Sequence, residues 1–189
     1  MARDIVHLHS WLGLVMLSGL IGGCAAVDEK RELSTVPVVD LARYAGTWYE
    51  IARLPVWFQR HCVRSKVVYA MRADGSLAVH HECVTASHEV ETADGIATVV
   101  DSRTKARLDV RFDNWFARLF GSSRMGNYWI LDLDADYRTA VVGTPDRRHL
   151  WILAREPQIA EARFLGLVDV GRRFGYPVDR LIRDRYSGL

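Results

Sequence analysis

The residues best suited to chemistry lie in one short run, His80-His81-Glu82-Cys83, with His88 a few positions on. Imidazole, carboxylate and thiolate are the groups that hold zinc, but a metal centre needs several of them aimed at one point. The run sits in a β-branched, alternating stretch, and successive side chains of a strand leave on opposite faces. His80 and His81 are therefore expected to point apart, which removes a shared metal. Ser65, Ser76 and Ser87 lack the glycine-framed turn that exposes a nucleophilic serine. No glycine-rich loop precedes a helix to cradle phosphate. We expect no catalytic residues, no metal and no cofactor, and hence a binding protein rather than an enzyme.

Charge narrows the partners. The chain of 189 residues has 25 Lys and Arg against 23 Asp and Glu, a formal net charge of +2, so no basic surface for nucleic acid is expected. Arg163, Arg172, Arg173, Arg180, Arg183 and Arg185 are interspersed with Asp169, Asp179 and Asp184, the pattern of a solvated face. With 49% apolar residues, 5 Pro and 14 Gly, the composition is that of one globular domain.

Elements that would position these side chains follow from periodicity. Short period-2 or β-branched runs predict strands near 46–54, 64–72, 76–84, 95–102, 105–112, 127–133, 138–143 and 149–155. Turn residues separate them at Asp74-Gly75, Asp94-Gly95, Asp134-Ala135-Asp136 and Thr144-Pro145-Asp146. Eight sequential antiparallel strands with short connections predict an all-β, up-and-down barrel, because closure removes the exposed edges of a meander. After the last strand, Pro157 is placed to open a helix, with Ala160, Phe164, Leu167, Val168 and Gly171 on one face. That helix would pack outside against Leu150, Ile152 and Ala154, leaving Trp151, Leu153 and Arg155 for the interior.

Cys62 and Cys83 flank the first predicted hairpin. A strict two-residue turn at Asp74-Gly75 puts Cys83 opposite Lys66, so the disulfide expected between them requires a looser turn or a bridge from the loop before the strand; the alternative is two buried thiols.

Three segments carry a family resemblance. Gly46-Thr47-Trp48-Tyr49-Glu50-Ile51-Ala52-Arg53 opens the first strand, Leu131-Asp132-Leu133-Asp134-Ala135-Asp136-Tyr137 spans a strand turn, and Trp151-Ile152-Leu153-Ala154-Arg155 precedes the helix. In this order and spacing they resemble the three motifs of the lipocalins, in particular the bacterial branch and its relative apolipoprotein D, over about Val39 to Tyr186. The resemblance implies an eight-stranded barrel with one C-terminal helix outside. It also implies structural roles for Gly46, Trp48 and Arg155, with the guanidinium stacked on the indole at the closed end. On the second strand Tyr69 matches a cavity tyrosine of the apolipoprotein D branch, and Val67 and Met71 share its face. Trp151 and Leu153, with Tyr128 and Ile130 on the sixth strand, complete the expected cavity lining. Two apolar connections would meet at the open end as a portal: Trp57 and Phe58 in the first, and Trp115, Phe116 and Phe120 after the fifth strand. They either fold inward to close the core or serve as a portal touching lipid, a lid, or a contact with a second copy in a homodimer, with Arg53, Arg60, Arg118 and Arg124 near enough in sequence to meet a phosphate headgroup.

The uncharged N-terminal stretch, with Ile21-Gly22-Gly23-Cys24 behind it, resembles the lipobox of bacterial lipoproteins. This implies a signal peptide over 1–23, an acylated Cys24 with a tether over 24–39, and a lipocalin domain over 40–189. Ala25 after the cysteine implies the outer membrane, lipid-anchored and facing the periplasm. The combined expectation is a carrier or store of fatty acids or lysophospholipids. The alternatives are a carrier of ring-shaped ligands such as tetrapyrroles or retinoids, and an envelope protein-interaction module without a ligand.

Overall fold

Alternation of apolar and polar residues resolves into a closed antiparallel barrel in the computed structural model, which describes residues 32–113 and 124–186. A one-turn helix α1 (Leu41–Tyr44), capped by Asp40 Oδ1 on the amides of Ala42 and Arg43, precedes the barrel. The strands are β1 (Gly46–Arg53), β2 (Cys62–Met71), β3 (Leu77–Thr85), β4 (Val90–Val99), β5 (Arg107–Phe112), β6 (Tyr128–Leu133), β7 (Thr139–Gly143) and β8 (Leu150–Ala154). Each pairs with its sequence neighbour, β8 pairs with β1, and Gly46↔Tyr69 through Tyr49↔Lys66 closes the sheet.

The helix α2 (Glu161–Arg173) lies outside and buries Phe164, Leu167, Val168 and Gly171. It starts four residues later than Pro157; Ala160 is the cap residue and Glu161 occupies the first turn. Two apolar layers result from the alternation on β8. Leu150, Ile152 and Ala154 pack with α2, whereas Leu153 belongs to the barrel interior with Trp48, Val67 and Tyr69.

Three features depart from the sequence pattern. Asp94-Gly95 is not a turn: both residues lie inside β4, where a Cβ on Gly95 would fall 2.3 Å from the carbonyl oxygen of Arg111. Close approach of a neighbouring strand, rather than chain reversal, requires that glycine. The β3–β4 reversal falls instead at Thr85–Glu89, with His88 in the left-handed region.

The first hairpin has a looser turn, because Met71 pairs with Leu77 across Arg72–Ser76. That sets Cys83 opposite Ser65, and a bulge between Cys62 and Arg64 moves Cys62 opposite Thr85. The two cysteines become diagonal neighbours with Cα atoms 5.4 Å apart, and they form a disulfide.

A ninth strand, β9 (Ile182–Arg183), was not apparent from the pattern. It pairs with β1 through Ala52↔Arg183 and Arg53↔Ile182, past the point where β1 and β2 stop pairing. The Asp184 amide donates to the Ile51 carbonyl and the Arg185 amide to the Val63 carbonyl, so the C-terminal segment fills the seam between β1 and β2.

Candidate functional site

The closed end is built first. Gly46 enters β1 at φ +98°, and its missing side chain leaves room for Arg155, whose Nη1 would stand 3.2 Å from a Cβ there. The Arg155 guanidinium lies 3.9 Å from the Trp48 ring centroid and donates to the carbonyls of Arg43, Tyr44, Ala45, Thr47 and Tyr137. A cation–π contact of this kind contributes roughly 0.5–2 kcal/mol. It also ties α1, β1 and the β6–β7 turn to the end of β8. Val36 and Val39 bond to Ile130 and Thr104 by backbone hydrogen bonds, so the segment before α1 also closes this end.

Above this floor stand three tyrosines. Tyr69 donates to the Tyr128 hydroxyl at 2.9 Å, and Tyr44 and Tyr128 are 2.7 Å apart. Burial pushes all three phenols above their ordinary range, so they stay neutral donors and acceptors.

Between the tyrosines and the mouth is a cavity of about 80 Å³. That is room for several waters, so the barrel is not packed solid. Val67, Val79, Ala93, Val110 and Leu153 form apolar walls, and Phe58, Phe112 and Trp151 supply aromatic faces.

One wall is polar. A bulge between Glu50 and Ala52 adds a residue to β1, so Glu50 and Arg53 face the same way. They are 4% and 2% exposed. Arg53 Nη1 donates to Glu50 at 2.9 Å and to Asp184 from the C-terminal segment; Nη2 donates to the carbonyls of Gln59 and Cys62. Gln59 Nε2 donates to Glu50 at 3.0 Å and lies 3.2 Å from His81 Nε2, while its Oε1 accepts from the Trp151 indole at 3.2 Å.

Two buried carboxyl groups thus share one guanidinium. Burial raises the pKa of both, and for Asp184 the Glu50 charge adds to the rise, with Arg53 opposing it in each case. His81 is pushed down to about 4, by burial first and by Arg53 second, and is neutral at neutral pH. Its neighbour His80 points outward, with Nδ1 2.7 Å from Asp94.

The lipocalin-like domain family matches residues 39–185. This chain is a lipocalin. It is 33% identical over 164 residues to the outer membrane lipoprotein Blc of Escherichia coli (strain K12), covering 86% of this chain and 88% of that one. Temperature-induced lipocalin-1 of Arabidopsis thaliana is also 33% identical, over 82% of this chain and 83% of that protein. Apolipoprotein D of Bos taurus is 28% identical over 83% and 84% of the two chains. Among solved structures, insecticyanin of the tobacco hornworm Manduca sexta superposes with a TM-score of 0.59 at 18% identity, covering 82% of this chain and 85% of that one. Lobster apocrustacyanin A1 gives 0.58 at 12%, over 78% and 79%. These structural likenesses show the shared barrel.

Of the expected lining, Val67, Tyr69, Tyr128, Trp151 and Leu153 border the open space. Two expected members do not. Met71 ends β2 past Tyr69, the last residue of that strand paired with β1, and is 47% exposed. Ile130 is fully buried in the interior cluster, but it packs below the tyrosines and does not line the open space.

At the mouth, Phe58 turns inward, 7% exposed, and lines the cavity, while Trp57 beside it is 50% exposed. Arg53 is no headgroup ligand, since its terminal nitrogens are committed inside the wall. Trp115, Phe116 and Phe120 of the expected portal lie outside the described residues, as do Arg118, the signal segment 1–23 and Cys24.

Glu50 and Gln59 are not among the cavity residues expected from the sequence, and His81 is weighed there only as a metal ligand. Glu50 shares the parity of Trp48 on β1, which was a usable signal. Gln59, in a short 3-10 turn over Trp57–Gln59, had none.

Proposed function

We propose that this lipocalin binds single-chain lipids in its barrel and carries or stores them at the bacterial outer membrane, held there by an acylated Cys24. The observation that carries this reading is the cavity itself: small, walled mainly by aliphatic and aromatic side chains, with Glu50, Gln59 and His81 grouped on one side. Each methylene moved from water into such a space contributes about 0.8 kcal/mol, while a few polar groups orient the other end. Fatty acids and lysophospholipids have that shape. A slender chain suits the space better than a broad tetrapyrrole.

The family relation to outer membrane lipoproteins supports the location, and the lipobox-like Ile21-Gly22-Gly23-Cys24 supports the anchor. Trp57, exposed at the mouth, is suited to touch a lipid surface or a second copy of the chain. The reading is tested by native mass spectrometry after mild purification, comparing the anchored chain with a form beginning after Cys24. Acyl-chain ligands should copurify and exchange with added lipid. A barrel that never retains one would overturn it.

A further inference from the structure

The polar wall is suited to one kind of lipid headgroup and unsuited to another. Glu50, Gln59 and His81 border the open space. Facing Glu50 are Arg53 on its own strand, Gln59 from the turn after it, and Asp184 and Tyr186 from the C-terminal segment; His81 of β3 meets it through Gln59. Arg53 is the cation of this group, and both of its terminal nitrogens are engaged, with Glu50 and Asp184 on one and two backbone carbonyls on the other. Among the described residues that line the cavity none is Lys or Arg.

A fatty-acid carboxylate placed against this wall would be a third acidic group sharing one guanidinium that has no terminal donor left to offer it. Burying an unpaired charge costs far more than burying a hydroxyl. A hydroxyl, by contrast, donates to a Glu50 oxygen, which has lone pairs beyond those taken by Arg53 and Gln59. Burial raises the proton affinity of both carboxyls, which lessens the negative charge that the wall presents to an ammonium group beside Arg53.

We propose that Glu50, Gln59 and His81 form a hydroxyl-reading subsite. The barrel thereby selects single-chain lipids whose inner polar group is an uncharged alcohol, such as a monoacylglycerol, over ionised fatty acids of the same chain length. The proposal rests on the lipid-carrier reading above and adds the class of headgroup.

Displacement of an environment-sensitive alkyl dye from the full chain tests it, with 1-monopalmitoylglycerol and palmitate as competitors. At about pH 8, where a carboxyl of ordinary pKa is ionised, the glyceride should compete on the order of tenfold better, about 1.4 kcal/mol. Toward about pH 5 the acid gains a proton and the gap should narrow, with the glyceride changing little. Glu50→Gln keeps the shape, removes one buried acid and should strengthen palmitate binding at the higher pH. Palmitate competing equally with the glyceride at the higher pH overturns the subsite, and the wild-type pH series decides this even where the variant fails to fold. If the dye binds and neither lipid displaces it at either pH, the carrier reading itself falls, and the subsite with it.

Discussion

Asp184, four residues after the last 3-10 turn of the chain, pairs with Arg53 on the first strand, across 131 positions of sequence. Asp184 Oδ2 also accepts the Ser65 amide at 2.6 Å. The C-terminal segment therefore closes the β1–β2 seam and completes the polar wall of the cavity in one contact.

Removing the cation should be the most damaging change in this cluster. Arg53→Met leaves Glu50 and Asp184 buried without a countercharge, a situation that typically costs about 3–5 kcal/mol. Asp184→Asn keeps an acceptor for the Ser65 amide and should cost much less. Urea unfolding of both variants measures the difference.

Stability should fall with rising pH over the range set by Asp184. Its folded pKa is raised from 3.8 to about 9, so the folded state holds a proton that the unfolded chain releases. The contribution is full below the unfolded value and is lost as pH rises toward the folded one. His81 acts at the acid end: with its pKa lowered from 6.5 to about 4, it contributes stability above the higher value that is lost as pH falls through that interval. Asp184→Asn should remove the fall that extends up to about pH 9, and His81→Gln the opposing rise between about 4 and 6.5, each read from thermal midpoints across pH.

Arg155→Lys should not be conservative. A lysine keeps the charge but cannot stack its head flat on Trp48 while donating to five carbonyls. We expect a loss of about 1–3 kcal/mol, with the barrel intact by far-UV circular dichroism.

Ligand binding should respond to Ala93 and ignore Met71. Ala93→Phe projects a ring into the narrow space and should weaken acyl-chain binding by on the order of tenfold or more, with near-native stability since it fills open volume. Met71→Ala, outside the cavity, should leave affinity unchanged. Dye displacement on the two variants checks both.

Reduction of Cys62–Cys83 should lower stability by about 3 kcal/mol, the loop-closure entropy for cysteines 21 apart. Comparing oxidised and reduced unfolding curves, with Cys62→Ser/Cys83→Ser as reference, reads that value.

Strand order, the outer helix and the inward set on β8 were legible because alternation at period 2 and spacing at 3.6 are local properties. Trp151 and Leu153 go inward and Leu150 and Ile152 go under α2 for that reason alone. Gly46, Trp48 and Arg155 were legible through motif, and their geometry agrees with it.

What escaped depended on irregularity or distance. One bulge in β1 turned Arg53 from an expected headgroup contact into the buried centre of the polar wall. A five-residue turn and a second bulge decided that Cys62 meets Cys83.

Local patterning is enough for a closed barrel with a mainly apolar interior, since burial of one face of every strand is written in the alternation. The chemistry of that interior comes from long-range convergence. Asp184, Gln59 and His81 converge on Glu50 and Arg53 from separate parts of the chain, and their charge balance arises from proximity and burial, which no local pattern encodes.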